Sequence, residues 1–147
     1  MKKLIGFTAI LFAMTSATYA QEKEGSNDNI TVPAVVKNAN IKKYPESKNF
    51  HVTWEKEKGN YEANWGGKDG EANSVQYTPS GNFIEIVKAI PINELPANTI
   101  VYVKKHYQAN ITEAGKVTDA KGNMSYEAEV KGRDIIFDQN GNFLKAE

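Results

Sequence analysis

Phe50-His51-Val52-Thr53-Trp54-Glu55, a turn through Lys58-Gly59-Asn60, and Tyr61-Glu62-Ala63-Asn64-Trp65 form the stretch that decides the fold. Apolar and polar residues alternate in both arms, the period of a half-buried strand. Phe50, Val52 and Trp54 share one face of the first arm, and Tyr61, Ala63 and Trp65 share one face of the second. A two-residue hairpin loop pairs even with odd positions, so both apolar sets fall on the same side. Register and hydrophobic pattern agree on an antiparallel hairpin with an aromatic face. Its other face carries His51, Thr53, Glu55, Glu62 and Asn64.

Downstream, Ser74 to Tyr77 and Asn82 to Val87 make a second hairpin through Pro79-Ser80-Gly81. Proline suits position i+1 of a type I turn, and a following left-handed glycine makes a three-residue loop. Two placements of Phe83 and Phe143 stay open: a two-residue loop leaves them on the open face, and a three-residue loop, which the proline favours, turns them inward. Further strands are expected at 111–118, 125–131, 133–138 and 142–146. Upstream, Pro33 opens a helix bearing Val36, Ala39 and Tyr44, which Pro45 stops. Pro96 opens another, with Ile100, Val103 and Tyr107 on one stripe.

The two halves echo each other. Pro33 precedes Tyr44 by the spacing that separates Pro96 from Tyr107. Gly59-Asn60-Tyr61-Glu62-Ala63 matches Gly122-Asn123 and Tyr126-Glu127-Ala128. Gly81-Asn82-Phe83-Ile84 matches Gly141-Asn142-Phe143-Leu144. Three anchors in the same order indicate a duplication. The expected class is α+β: one helix plus a four-stranded antiparallel meander, twice, with repeat 1 at 30–90 and repeat 2 at 91–147. One helix per sheet covers only one face, so the aromatics lie beneath the helices and the polar face stays open. In the second half that face carries Glu127 and Glu129.

The amino terminus has the layout of an export signal: Lys2 and Lys3, an apolar run from Leu4 to Met14, then small residues up to Ala20. The run is about half of the roughly 20 residues needed to span a bilayer. Cleavage near Ala20 is expected, with 21–29 a disordered leader. The product would be periplasmic or secreted, with no membrane span in the mature chain. Of 147 residues, 18 are Lys or Arg and 18 Asp or Glu. That balance excludes an electrostatic nucleic-acid binder, which needs a basic surface. The chain has no Cys, which excludes disulfides, thiolate metal sites and Cys nucleophiles.

Chemical motifs are few. His51 and His106 lie in different halves, each without a second ligand beside it. Neither a zinc-protease, a serine-nucleophile nor a phosphate-loop pattern is present. Gly66-Gly67-Lys68-Asp69-Gly70 reads as a flexible connection. Asp138-Gln139-Asn140-Gly141-Asn142 resembles the start of a calcium loop but lacks its later ligands, so it reads as a turn. Glu55 and Glu62 lie close across the first hairpin, where one carboxyl could be raised as in an acid–base pair. A solvated face is the stronger reading. No catalytic residue, cofactor or metal ligand is assigned.

A Pro-started helix ending in Tyr44-Pro45, then Trp54, Tyr61, Trp65, Tyr77 and Gly81, followed by Leu95-Pro96, Tyr107, Tyr126, Phe137 and Gly141, resembles the PepSY-like family, also described as beta-lactamase-inhibitor-like. The second half departs from the pattern with Val130 for Trp65 and Gln108 for Pro45. The resemblance implies an exported bacterial protein without known catalytic residues. Related folds restrain secreted peptidases or grip an enzyme with a concave sheet. The expected function is therefore non-enzymatic binding of an extracytoplasmic protein or peptide. Thr53, Glu55, Glu62, Asn64, Glu127 and Glu129 are the candidate contact residues. The alternative is a small-ligand carrier with a pocket between sheet and helices.

Overall fold

The structure, a computed structural model, describes residues 30–147. The expected signal at 1–20 and leader at 21–29 fall outside the described residues. Helix α1 spans Ala34–Lys43 and a 3-10 turn spans Pro45–Asn49. Four strands follow: β1 (Thr53–Glu57), β2 (Asn60–Trp65), β3 (Asn73–Tyr77) and β4 (Phe83–Ala89). A 3-10 turn (Ile92–Glu94) leads to α2 (Ala97–Tyr107), then β5 (Glu113–Asp119), β6 (Met124–Val130), β7 (Arg133–Asp138) and β8 (Phe143–Ala146). All eight strands join one antiparallel sheet in sequence order. The fold is α+β, two helices on an eight-stranded sheet. The sheet is continuous where the chain passes from β4 to β5, with Val87 opposite Val117.

Turn chemistry sets the register. Lys58 and Gly59, and later Lys131 and Gly132, both have positive φ. This pair of conformations makes the two-residue loop whose twist matches the strands. It places Trp54 opposite Ala63 and Glu55 opposite Glu62, as the alternation requires. The loops after β3, β5 and β7 are one residue longer. In each, a glycine N–H donates to the carbonyl three residues back: Gly81 to Thr78, Gly122 to Asp119 and Gly141 to Asp138. The extra residue puts Phe83 opposite Tyr77 and Phe143 opposite Phe137. Both phenylalanines therefore face the helices, although Phe143 remains 40% exposed.

The helix side of the sheet is the core. Val36 of α1 packs with Tyr61, Ala63, Trp65, Val75 and Tyr77, and Val103 of α2 with Ala128, Val130, Ile135 and Phe137. Trp65 is 1% exposed and Tyr77 fully buried, and the Tyr44 ring lies 5.6 Å from Trp65. Asn40 is also buried on α1. Its amide donates to Ser47 Oγ at 3.2 Å, and its oxygen accepts from the Tyr77 hydroxyl at 3.0 Å. Buried polar atoms need such partners.

Three expectations shift. Pro33 and Pro96 stand just before the helices, at the cap, rather than inside the first turn. Pro45 ends α1 but opens a 3-10 turn. That turn carries Phe50 out of the first strand and leaves it 49% exposed.

Gly141 pins the last hairpin to α2. Its φ is +81°, and a Cβ there would lie 2.8 Å from Pro96 Cβ. Gly81 has the same relation to α1, with Val35 O at 3.0 Å. Gly141→Ala adds left-handed strain to a clash. It is expected to cost about 2 kcal/mol or more in urea unfolding, whereas Gly122→Ala, with open space around it, meets only the strain.

Candidate functional site: the acidic concave face

Register assigns the remaining residues to the face away from the helices. Glu55 lies opposite Glu62, Glu62 opposite Gln76, and Gln76 opposite Glu85. Across the middle of the sheet Val87 meets Val117, and Glu127 lies between Gly115 and Ile136. Glu129 and Asp134 are neighbours on β6 and β7. Ser74, Val87, Val117 and Ile136 form a buried floor. Carboxylates from nearly every strand stand around it.

The sheet is curled about this face. Laid flat, β1 and β7 would lie about 29 Å apart at roughly 4.8 Å per strand, well beyond the range of screened charges. Yet Glu57 of β1 raises the pKa of Asp134 on β7, and Glu62 of β2 raises that of Glu127 on β6. The face is therefore concave, and its side chains converge.

Convergence buries groups expected to be solvated. Thr53 is exposed, and Glu55 and Glu129 are half-buried. Glu62 is 2% exposed, Asn64 6% and Glu127 0%. The expectation of an open face is thus corrected for Glu62, Asn64 and Glu127, because inside a curled sheet neighbouring side chains remove solvent without a covering layer. Asn64 accepts a hydrogen bond from the Ser74 hydroxyl. Glu129 accepts one from Thr112 Oγ1 at 2.6 Å. Glu127 differs from both: neither of its carboxylate oxygens has a hydrogen-bond partner.

Burial in such company favours the neutral acid. Glu62 is pushed up to about 8, first by burial, then by Glu57, Glu55, Glu85 and Glu71. Glu55 does lie across the hairpin from Glu62, but desolvation outweighs it. Asp134 rises to about 7 through burial and then Glu129. Glu127 is held far above the usual carboxylate range by burial, then by Asp134 and Glu85. Lys145, within 2.6 Å of Glu147, forms an ion pair at the edge of this face. Among the described residues no three His, Cys, Asp or Glu converge closely enough to hold a metal ion.

An open groove of about 380 Å³ adjoins the floor, lined by Ser74, Val87, Gly115, Glu71, Glu113 and Lys68 among others. A smaller hollow of about 220 Å³ lies beside Trp54, between α1 and β1, and Trp65 does not line it. His51 and His106 are both exposed, and His106 stacks on Tyr102 with ring centres 4.2 Å apart. In the Asp138 loop one carboxylate oxygen accepts from the N–H of Asn140 and of Asn142, and the other from the Asn142 side chain. The carboxylate thus closes the turn, as Asp119 does with Lys121 and Asn123. Glu85, Glu57, Glu113 and Asp134 of the concave face escaped the sequence reading. Glu57 shares the parity of Glu55 on β1, whereas the parity of Glu85, Glu113 and Asp134 becomes readable only once the later loops and the β4–β5 join are known.

A twisted antiparallel sheet with two helices on its convex side and a polar, uncapped concave side defines a beta-lactamase-inhibitor-like fold. The chain belongs to the PepSY-like family, described as "Putative beta-lactamase-inhibitor-like, PepSY-like", which matches residues 65–145. Among solved structures, a "putative periplasmic" protein from Bacteroides eggerthii is similar, with TM-score 0.64 and 18% identity over 80% of this chain and 88% of that one. A DUF2874 family protein from Bacteroides ovatus superposes with TM-score 0.63 and 17% identity, covering 81% and 89%. A BLIP-like protein from Bacteroides fragilis superposes with TM-score 0.58 and 19% identity, covering 81% and 87%. No curated protein matches the chain significantly. Among the described residues, no helix is long and apolar enough to cross a membrane.

The raised carboxyls set a pH dependence. A group raised in the folded state contributes stability below its unfolded pKa and loses it as pH rises through the folded pKa. For Glu62 the window runs from about 4.5 to about 8, and Asp134 titrates inside it. Melting temperature is expected to fall from pH 5 to pH 8.5. Glu62 alone accounts for at most about 4 kcal/mol, at roughly 1.4 kcal/mol per unit. Glu62→Gln is expected to flatten the profile and raise stability at pH 8; a melting curve as steep as wild type would remove this account of Glu62.

Proposed function

We propose that the chain is an exported, non-enzymatic binding protein of inhibitor-like type that engages an extracytoplasmic protein or peptide on its concave sheet face. The observation that carries this reading is a sheet face ringed by carboxylates and left without a covering layer on the side opposite both helices. Thr53, Glu55 and Glu129 would form its accessible contacts. Glu62, Asn64 and Glu127 would act from beneath, fixing charge and shape. The family description and the likeness to a BLIP-like protein support an inhibitor-like role. The signal-like amino terminus and the similar "putative periplasmic" protein support a site of action in the periplasm or medium.

The duplication belongs to the same proposal. The three sequence anchors, the order of helix and four strands on either side of Leu95, and the matching seats of Gly81 and Gly141 on the two helices support it. The carrier alternative draws no comparable support. The hollow beside Trp54 is below the roughly 300–1,000 Å³ of small-molecule pockets.

The test uses immobilised wild-type protein and a triple variant, Thr53→Ala with Glu55→Ala and Glu129→Ala, against envelope extract of the source organism. One stoichiometric partner held by wild type and lost by the variant is expected, with slowed hydrogen exchange in β1, β2 and β6. Equal recovery by both proteins, or protection confined to the helices, would overturn the reading.

A further inference from the structure

We propose that the concave groove receives a cationic side chain, the ammonium of a lysine or the guanidinium of an arginine on the partner polypeptide, with Glu127 as its counter-ion. This deepens the binding reading above and rests on it.

The geometry turns on Glu127 and Gly115. They face each other across β5 and β6, and a Cβ on Gly115 would lie 3.7 Å from Glu127 Oε2. That Cβ would also strike Val87 Cγ1 at 2.7 Å, so Val87 packs directly on this backbone and only glycine fits beside the carboxyl. Gly115 and Val87 line the open groove. Glu127 itself is fully buried and lies behind this wall, so an arriving cation would reach it by moving the Val87 side chain aside. Both its oxygens lie buried without a hydrogen-bond partner, an arrangement that costs stability unless something completes it.

Charge selects what completes it. Glu62 from β2, Glu85 from β4, Asp134 from β7 and Glu147 after β8 all act on Glu127 with the same sign. Glu71, Glu113 and Asp69 border the groove, against Lys68; Lys145 lies with Glu147. An anion would be repelled and a neutral group would leave the field uncompensated. Among the described residues the carboxylates do not converge as metal ligands do, whereas a hydrogen-bonding organic cation needs only one or two oxygens at about 2.7–2.9 Å. Before binding, burial and then Asp134 and Glu85 favour the protonated form of Glu127. On binding, the proton passes to solvent and the carboxylate pairs with the arriving cation; no covalent bond changes.

Titration calorimetry of the protein with pentalysine, pentaarginine and spermine, in buffers of differing ionisation heat, tests this. Both peptides are expected to bind with release of a proton. Glu127→Gln is expected to bind them about 10-fold or more weaker and to lose the buffer dependence. Glu127→Asp should retain proton release, and Glu94→Gln, an exposed acid outside the groove, should behave as wild type. Equal affinity for wild type and Glu127→Gln, or binding without proton release, would overturn the proposal. Spermine binding as tightly as the peptides, with the same dependence on Glu127, would overturn its assignment to a polypeptide. A captured partner that ignores Glu127→Gln but is lost with the rim variant refutes the cation site alone. A partner indifferent to both refutes the concave-face reading itself.

Discussion

Two helices cannot cover both faces of an eight-stranded sheet, and the structure follows from how that shortage is met. Trp65, Tyr77 and Phe137 take the helix side, where their burial supplies the largest hydrophobic gain. The other side has no layer to rest on. Curling the sheet solves the problem, because side chains on an inner radius shield one another. Short apolar residues such as Val87 and Val117 then make the floor. Long acidic ones reach across the space above it. Curvature thus creates the fold's second buried region and its electrostatic tension together.

That tension explains the difference between the two faces. On the helix side Asn40 is satisfied between Ser47 and Tyr77, and the one buried polar atom without a partner among the described helix residues, Thr99 Oγ1, is a neutral hydroxyl. On the concave side Glu62, Glu85 and Glu127 are brought together with the same sign of charge. A neutral acid there costs far less than an anion. Burial and like charge there favour the protonated forms of Glu62, Asp134 and Glu127, and the proposed cation would compete directly with the proton.

Local chemistry was legible in the sequence. The Lys58-Gly59 loop, the alternation from Phe50 to Trp65 and the glycine loops after β3 and β7 carry their register in a few adjacent residues. So does the inward placement of the aromatics. The state of the polar face was not legible, because it depends on pairing β4 with β5 and on curling the sheet until β1 influences β7. Neither property belongs to any short segment. Phe50 was misplaced for a related reason: alternation alone cannot reveal that Pro45 nucleates a turn reaching to Asn49. Asn40 was missed because a polar residue on a helix becomes a core residue only when a distant tyrosine hydroxyl arrives to meet it.

Glu127 marks where folding and function part. An apolar residue at this place on β6, opposite Gly115, would pack in the buried floor without the cost of a buried acid. Replacing buried charged groups with well-packed apolar ones is often neutral or stabilising. Glutamine would keep the shape of the carboxyl without its charge. A buried carboxyl placed among other carboxyls therefore conflicts with stability alone. Such conflicts between local rules and fold concentrate where a protein binds or reacts. That argument supports the proposed role of the buried acid in recognition, in which the curl of the sheet would bring it within reach of a partner.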